Sequence, residues 1–235
     1  MDSKDPDRAS TRERFDEIAA GYDTQFVRFI GKYDEMQSMV FALVSHLGAG
    51  GGRVLDLGTG TGELSRILLE NLPSARVHGV DFSEKMLEQA RRKLARFGPR
   101  FTTETADLAT YSPPASERFD LIVSVLAIHH LTDSDKADLT ARCHAAIVPG
   151  GFFINADLIK GASPRENDLL DRFHLEEMRS RGLGEEEIQQ RVARHRQHDI
   201  PATLPDQIHW VTSAGFREVW VPWRYLYQAI IVCLR

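Results

Sequence analysis

The stretch Arg53-Val54-Leu55-Asp56-Leu57-Gly58-Thr59-Gly60-Thr61-Gly62-Glu63-Leu64 decides the fold. Its apolar run, Arg53 to Leu57, predicts a buried strand, and glycine at every second position predicts a tight turn. A helix then starts near Gly62. Glycines at this spacing let the backbone turn with positive φ and let a ligand approach the main chain. The helix start directs unpaired N–H groups towards whatever lies on the loop. A dinucleotide fingerprint would need a third glycine at position 63, where the chain has Glu63. A Walker-type phosphate loop is excluded because no Gly-Lys-Ser/Thr follows. Asp56, two residues before the first glycine, would repel a pyrophosphate and suits a cationic ligand.

Working outward, the chain of 235 residues is long enough for one α/β domain with a substantial core. Its formal net charge of −5 gives no support to a nucleic-acid groove. Cys143 and Cys233 lie in apolar contexts and read as buried free thiols in a reducing compartment. No apolar run has the length of a membrane span, and Met1 to Arg14 is polar without a signal-peptide core. A soluble cytoplasmic protein is the expectation.

Residues 1–10 read as disordered, and a helical pattern starts at Thr11 with Phe15, Ile18 and Ala19 on one face. A second helix is expected over 33–47, with Met36, Met39, Val40, Leu43 and Val44 as core. Beyond the glycine loop, Leu64, Ile67, Leu68 and Leu72 mark an amphipathic helix. Val77 to Val80 form the next strand, ending at Asp81-Phe82-Ser83. An acid at this strand end, about 20 residues beyond a nucleotide-type loop, is placed to accept from both ribose hydroxyls. Asp81 could instead cap the next helix, but Ser83 can take that role and leave Asp81 for the ligand. Phe82 is available to stack near an adenine.

Phe101 to Thr105 read as a short strand, followed by Asp107-Leu108. Phe119 to Leu126 is a near-continuous apolar run, as suits a central parallel strand covered on both faces. It ends in Ala127-Ile128-His129-His130-Leu131, where the carboxyl edge of a parallel sheet meets its ligand. Thr132-Asp133-Ser134-Asp135 caps a helix that ends at Pro149-Gly150-Gly151, and Phe152 to Asp157 form a fifth strand. Residues 162–199 read as two charged helices separated by Gly182-Leu183-Gly184. From the residues alone they read as a solvated helical hairpin or as a contact between copies in a homodimer. His195 and His198 read as a polar helix end, not as metal ligands. The Arg-His run of this segment could meet an anionic substrate. Thr203 to Asp206 start a last helix, and Glu218 to Val221 and Leu226 to Leu234 read as the final strands.

D-x-G-x-G-x-G after an apolar strand resembles motif I of the class I S-adenosylmethionine-dependent methyltransferases. Phe15-Asp16-x-x-Ala19-x-x-Tyr22-Asp23 is similar to the lead-in of many small-molecule members. The end at His129-His130-Leu131 and the Pro149-Gly150-Gly151 strand entry match later family motifs. The resemblance implies an α/β fold with a Rossmann-like seven-stranded sheet, order 3-2-1-4-5-7-6, strand 7 antiparallel, helices on both faces and a helical cap. It implies N-terminal helices over 1–48 that cover the cofactor pocket, and a binding domain over 49–235 carrying the 162–199 insertion.

The cofactor implied is S-adenosyl-L-methionine, leaving S-adenosyl-L-homocysteine. Cofactor contacts are implied for Tyr22, Asp56, Gly58, Thr59, Gly60, Gly62, Asp81, Phe82, Met86, Asp107, Leu108 and Val125. Among these, Tyr22 would reach the methionyl carboxylate, Asp107 the adenine amino group and the Leu108 N–H a ring nitrogen. His129, His130 and Asp157 would face a small-molecule acceptor, with one histidine taking its proton. The alternatives remain that one histidine packs in the fold while the other lines the pocket, and that alignment alone carries the transfer. No metal is expected, because histidines stand where the magnesium-dependent relatives carry acids. Three rivals stay open: formation of a carboxymethyl derivative of the cofactor, tRNA or protein methylation, and a catalytically silent cofactor-binding subunit.

Overall fold

The structure is a computed structural model that describes residues 8–26 and 30–235. Five parallel strands form its centre: β1 (Arg53–Leu57), β2 (Arg76–Asp81), β3 (Phe101–Thr105), β4 (Phe119–Val125) and β5 (Ile147–Lys160). A two-residue strand, β6 (Ala202–Thr203), pairs with the end of β5. The sheet closes with β7 (Glu218–Tyr225) and β8 (Gln228–Leu234), in the order β3-β2-β1-β4-β5-β8-β7. β8 runs antiparallel to both of its neighbours. The order expected from the resemblance is therefore present, with β6 as an addition whose two residues are too few to leave a periodicity.

The apolar run of β4 explains its central place. Phe119, Leu121, Ile122 and Val123 are all buried, and alternate side chains of a strand enter opposite faces. Ile122 joins Leu55, Leu57 and Phe153 in one core cluster. Leu121 and Val123 join Val54, Val77 and Ile154 in the other. Two helices, α5 (Asp133–Ala146) and α8 (Leu204–Ser213), cover the first face through Leu139, Cys143 and Val211. The second face is covered by α2 (Tyr33–His46) and α3 (Glu63–Asn71) through Met36, Val40, Leu64 and Leu68. Each such side chain contributes about 1.5–3 kcal/mol on burial. Both cysteines are free and buried. No helix among the described residues is long and apolar enough to cross a membrane.

Four remaining helices frame the site: α1 (Arg8–Ile18), α4 (Glu84–Leu94), and the pair formed by α6 (Pro164–Ser180) with α7 (Glu185–His198). Residues 1–7 lie outside the described residues, and helix starts at Arg8, earlier than the expected Thr11. Arg8 holds this first turn by pairing with Asp135 and Asp107. The fifth strand also starts earlier than Pro149-Gly150-Gly151 suggests. That turn sits within β5 as a bulge, where the register with β4 shifts between Phe119 and Leu121.

The turn after β1 depends on Gly58, whose φ is +71°. A Cβ there would lie 2.1 Å from the Ala127 side chain. Gly58→Ala therefore combines left-handed strain with overpacking and is expected to cost about 2–4 kcal/mol. Urea unfolding checks this. A loss below about 0.5 kcal/mol would show that the loop tolerates a side chain.

Candidate active site

The carboxyl ends of β1, β2 and β4 open onto a common cleft. This is where a doubly wound sheet reverses its strand order and binds ligands. The Gly58 and Thr59 N–H groups both donate to Val80 O, at 2.8 and 3.0 Å, tying the loop to β2. The Gly60 N–H donates to Asp81 Oδ2 at 2.9 Å, and the Ser83 N–H to Asp81 Oδ1 at 2.9 Å. Ser83 caps α4, with its Oγ accepting from the Met86 N–H. The expected division of labour is thus only partly kept: Ser83 is the cap, but Asp81 also braces two loops. Burial pushes the Asp81 carboxyl up to about 6 against these donors, and Asp56 nearby adds to the rise. Asp56 accepts from Thr59 Oγ1 at 2.8 Å and Ser65 Oγ at 2.6 Å, while its burial raises its pKa.

Four carboxylates, Asp56, Glu63, Asp81 and Asp107, line this cleft, against one guanidinium, Arg8. An acidic lining suits a sulfonium and ammonium ligand and opposes a pyrophosphate. Gly60, with φ of +54°, has open space where a Cβ would stand, so main chain faces the cleft there. Tyr22, Gly58, Thr59, Phe82, Met86, Leu108 and Val125 also line the cleft. Tyr22 stays a neutral phenol, pushed up to about 12 by burial and then by Asp81. Asp107 both closes a local turn, accepting from the Ala109 N–H at 2.9 Å, and meets Arg8 at 3.5 Å.

Gly62 departs from the sequence expectation. It is the residue preceding α3, and its missing side chain makes room for Leu94 and Ala90 of α4, not for a ligand. It does not line the cleft.

A second cavity adjoins the first. Phe15, Tyr22, Leu126 and His130 line both. Phe15 of α1 roofs this seam, with its ring edge-on to His130 at 5.3 Å and to Phe82 at 5.7 Å. Leu126 has φ of +53°, an uncommon backbone state for a residue with a side chain and one found at ligand sites. Helices α6 and α7 supply the outer wall. There His174 stacks on Tyr227 at 4.2 Å, and burial holds its imidazole down to about 4.

The two histidines differ. His129 is buried, and Asp157 receives its backbone N–H at 2.8 Å and sits 2.5 Å from its Nδ1. Asp157 is itself buried and lines neither cavity. The expectation that Asp157 faces the acceptor is corrected: β5 runs on to Lys160, Asp157 is buried within it, and its carboxylate orients His129. His129 reaches the second cavity only, whereas His130 stands on the seam.

The His130 Nδ1 lies 3.1 Å from His198 O and 3.2 Å from Asp199 Oδ1. Both neighbours are acceptors, so in the neutral ring Nδ1 is the donor and Nε2 carries the lone pair. Burial alone would raise the Asp199 carboxyl, but the close approach of His130 and the hydrogen bond with His195 hold it well below the usual range. Asp199 was not legible beforehand, because His130 lies far away from it in sequence.

His129, His130 and Asp199 form the one set among the described residues whose metal-ligating atoms all lie within 4.8 Å of one another. The contacts to Asp157, His198 O and His195 already engage these groups within the protein.

The methyltransferase-domain family profile matches residues 54–151, which hold the glycine loop, Asp81, Asp107 and both histidines. An uncharacterized methyltransferase from Geobacillus kaustophilus is 33% identical over 171 residues, covering 73% of this chain and 72% of the relative. The chain belongs to the class I S-adenosylmethionine-dependent methyltransferases. A carboxy-S-adenosyl-L-methionine synthase from Pseudomonas putida is 27% identical over 217 residues, covering 88% of this methyltransferase and 86% of the relative. Among solved structures, magnesium protoporphyrin IX methyltransferase from Synechocystis, with bound S-adenosylhomocysteine, superposes with a TM-score of 0.68 at 19% identity. It covers 97% of this methyltransferase and 100% of that chain.

Asp157→Ala would leave two buried His129 donors without an acceptor. It is expected to lower stability by about 3 kcal/mol while S-adenosylhomocysteine affinity stays within about threefold. Denaturation and calorimetry on the same sample check this. A larger loss of affinity with unchanged stability would return Asp157 to the ligand site.

Proposed function

We propose that this enzyme transfers the methyl group of S-adenosylmethionine to a nucleophilic atom of a small molecule held in the second cavity, with His130 as the base. The observation that carries the reading is the seam: His130 lines both cavities, and its Nδ1 contacts leave Nε2 as the proton acceptor. N-terminal residues 1–48 serve as the roof, 49–235 as the binding domain and 162–199 as the cap that shapes the acceptor side.

When bound, the cofactor supplies an electrophilic methyl on a sulfonium leaving group. Asp81 takes the ribose hydroxyls with the oxygen capacity its two backbone donors leave. Asp107 and the Leu108 N–H meet the adenine, Phe82 and Met86 pack near it, and Tyr22 donates to the methionyl carboxylate. Asp56 holds Thr59 and Ser65, and so the loop, in place. His130 Nε2 would take the proton of the acceptor's nucleophilic atom, while the cofactor would supply the methyl group, its carbon–sulfur bond breaking to leave S-adenosylhomocysteine. Asp199 stabilises the resulting imidazolium through Nδ1, as a carboxylate does behind a catalytic histidine. Phe15 and the cap exclude water, which protects a reaction that depends on alignment.

A second reading, formation of a carboxymethyl derivative of the cofactor, is favoured by the Pseudomonas putida relative, which aligns over more of the chain than the Geobacillus methyltransferase. Mass spectrometry of the products separates the two: S-adenosylhomocysteine with a methylated acceptor, or a carboxylated cofactor.

The raised pKa of Asp81 gives a pH signature. Above about 6 its carboxylate is ionised and accepts from the ribose; below that value a proton occupies one oxygen. S-adenosylhomocysteine affinity is expected to fall about tenfold per pH unit below 6. Asp81→Asn is expected to bind weakly at every pH, and an unchanged wild-type affinity from pH 7 to 5 would remove Asp81 from the ribose. His130→Gln is expected to lower kcat by about 10²–10⁴ with a screened acceptor, a loss far larger than any change in S-adenosylhomocysteine affinity. Full turnover by this variant would leave alignment as the sole source of catalysis.

A further inference from the structure

The second cavity has the opposite charge character to the first. Four arginines line it, Arg14, Arg191, Arg194 and Arg196, against two acids, Asp171 and Asp199. Asp199 is already engaged by His130 and His195. Arg14 comes from α1, beside the roofing Phe15, and Arg194 from α7 in the cap. Among the described residues neither forms an ion pair. Arg14 lies against the Phe15 ring at 5.7 Å, and Arg194 Nε donates to Gln190 O of its own helix at 3.1 Å.

Burial lowers the proton affinity of Arg14; Asp199 opposes this, and the like charges of Arg194 and Arg191 add to it. Two half-buried guanidinium groups that repel each other, with Asp199 acting on Arg14 but already held by His195, are costly unless an anion joins them. Their planar forks match a carboxylate or phosphate. The rest of the wall is apolar or aromatic: Ile18, Leu126, Leu175, Met178, and the stacked His174 and Tyr227. The cavity measures about 270 Å³, a volume for a small molecule.

We infer that the acceptor is a small organic anion. Its carboxylate or phosphate is held between Arg14 and Arg194, its apolar or aromatic body lies along the His174–Tyr227 wall, and its nucleophilic atom meets His130 at the seam. This rests on the second cavity being the acceptor site. The two cavities then pair a cationic donor with an anionic acceptor, each in a lining of opposite charge, so that neither ligand competes for the other's place.

The test is calorimetric titration of the full chain, loaded with S-adenosylhomocysteine, at fixed ionic strength. Two matched pairs of probes are used: 4-hydroxybenzoate against 4-hydroxybenzamide, and phenyl phosphate against benzyl alcohol. At least one anion is expected to bind about tenfold or more tightly than its neutral partner, and which pair shows it tells carboxylate from phosphate. Arg14→Gln and Arg194→Gln are each expected to remove most of that preference. S-adenosylhomocysteine affinity should not change, because neither arginine lines the cofactor cleft. Arg14→Lys, which keeps the charge and loses the fork, is expected to retain part of it, and melting curves confirm that each variant is folded.

Neutral probes binding as well as the anions in both pairs would overturn the inference, as would a preference that survives both glutamine substitutions. Failure of the wild type to bind S-adenosylhomocysteine would count against the methyltransferase reading instead. The anion titrations, run also without it, would still decide this one.

Discussion

The site depends on one carboxylate. Asp81 receives the N–H of Gly60 through one oxygen and that of Ser83 through the other. It thereby fixes the glycine loop after β1 against the start of α4 after β2. Burial makes this position expensive for a charge, and the two backbone donors offset only part of the cost, which is why the carboxyl is pushed up to about 6. A group tuned this way is ionised at neutral pH, yet gains further from a ligand that brings hydroxyl donors and positive charge. Asp56 works on the same loop from beneath, collecting Thr59 and Ser65. The glycines are needed because the loop must pass close to Ala127 while leaving main chain open at Gly60.

The roof over this loop is held by ion pairs and hydrogen bonds that cross the chain. Arg8 meets Asp107 and Asp135, Ser83 Oγ donates to Asp16, and Asp23 takes Thr61 and Lys93. Such partly exposed contacts are individually worth about 1 kcal/mol or less. Arg8 and Asp16 together seat α1. Because α1 also presents Phe15 and Arg14, one short helix contributes to both cavities. The glycine loop, the roof and the second cavity thus meet through α1 and the seam at His130.

Much of the fold was legible in the residues. Apolar runs such as Phe119–Val125 marked the strands, and the glycine loop with Asp81 and Asp107 marked the cleft. Strand order is different: it depends on which strand ends meet in space, and it came from the family resemblance, not from periodicity. Misreadings arose where a local pattern was overridden by packing. Gly62 shares the loop's spacing, yet it gives room to Leu94 and Ala90. Asp157 reads as a strand end at the ligand edge, yet β5 runs on to Lys160 and the buried carboxylate receives the His129 N–H. Arg14, Leu126 and Asp199 were not singled out, because nothing local distinguishes them. Asp199 lies in a polar helix end, and only folding brings it to His130. The strain at Leu126 is a backbone state that the residue name does not reveal.

The central claim is that an acidic cleft for the cofactor and a second cavity for the acceptor meet at His130. The most direct measurement is a crystal structure of the full chain with S-adenosylhomocysteine. The account predicts the ribose on Asp81, the adenine beside Asp107 and Leu108, and the sulfur at the seam lined by Phe15, Tyr22, Leu126 and His130. A ligand bound with its sulfur away from His130, or with its ribose off Asp81, would contradict it.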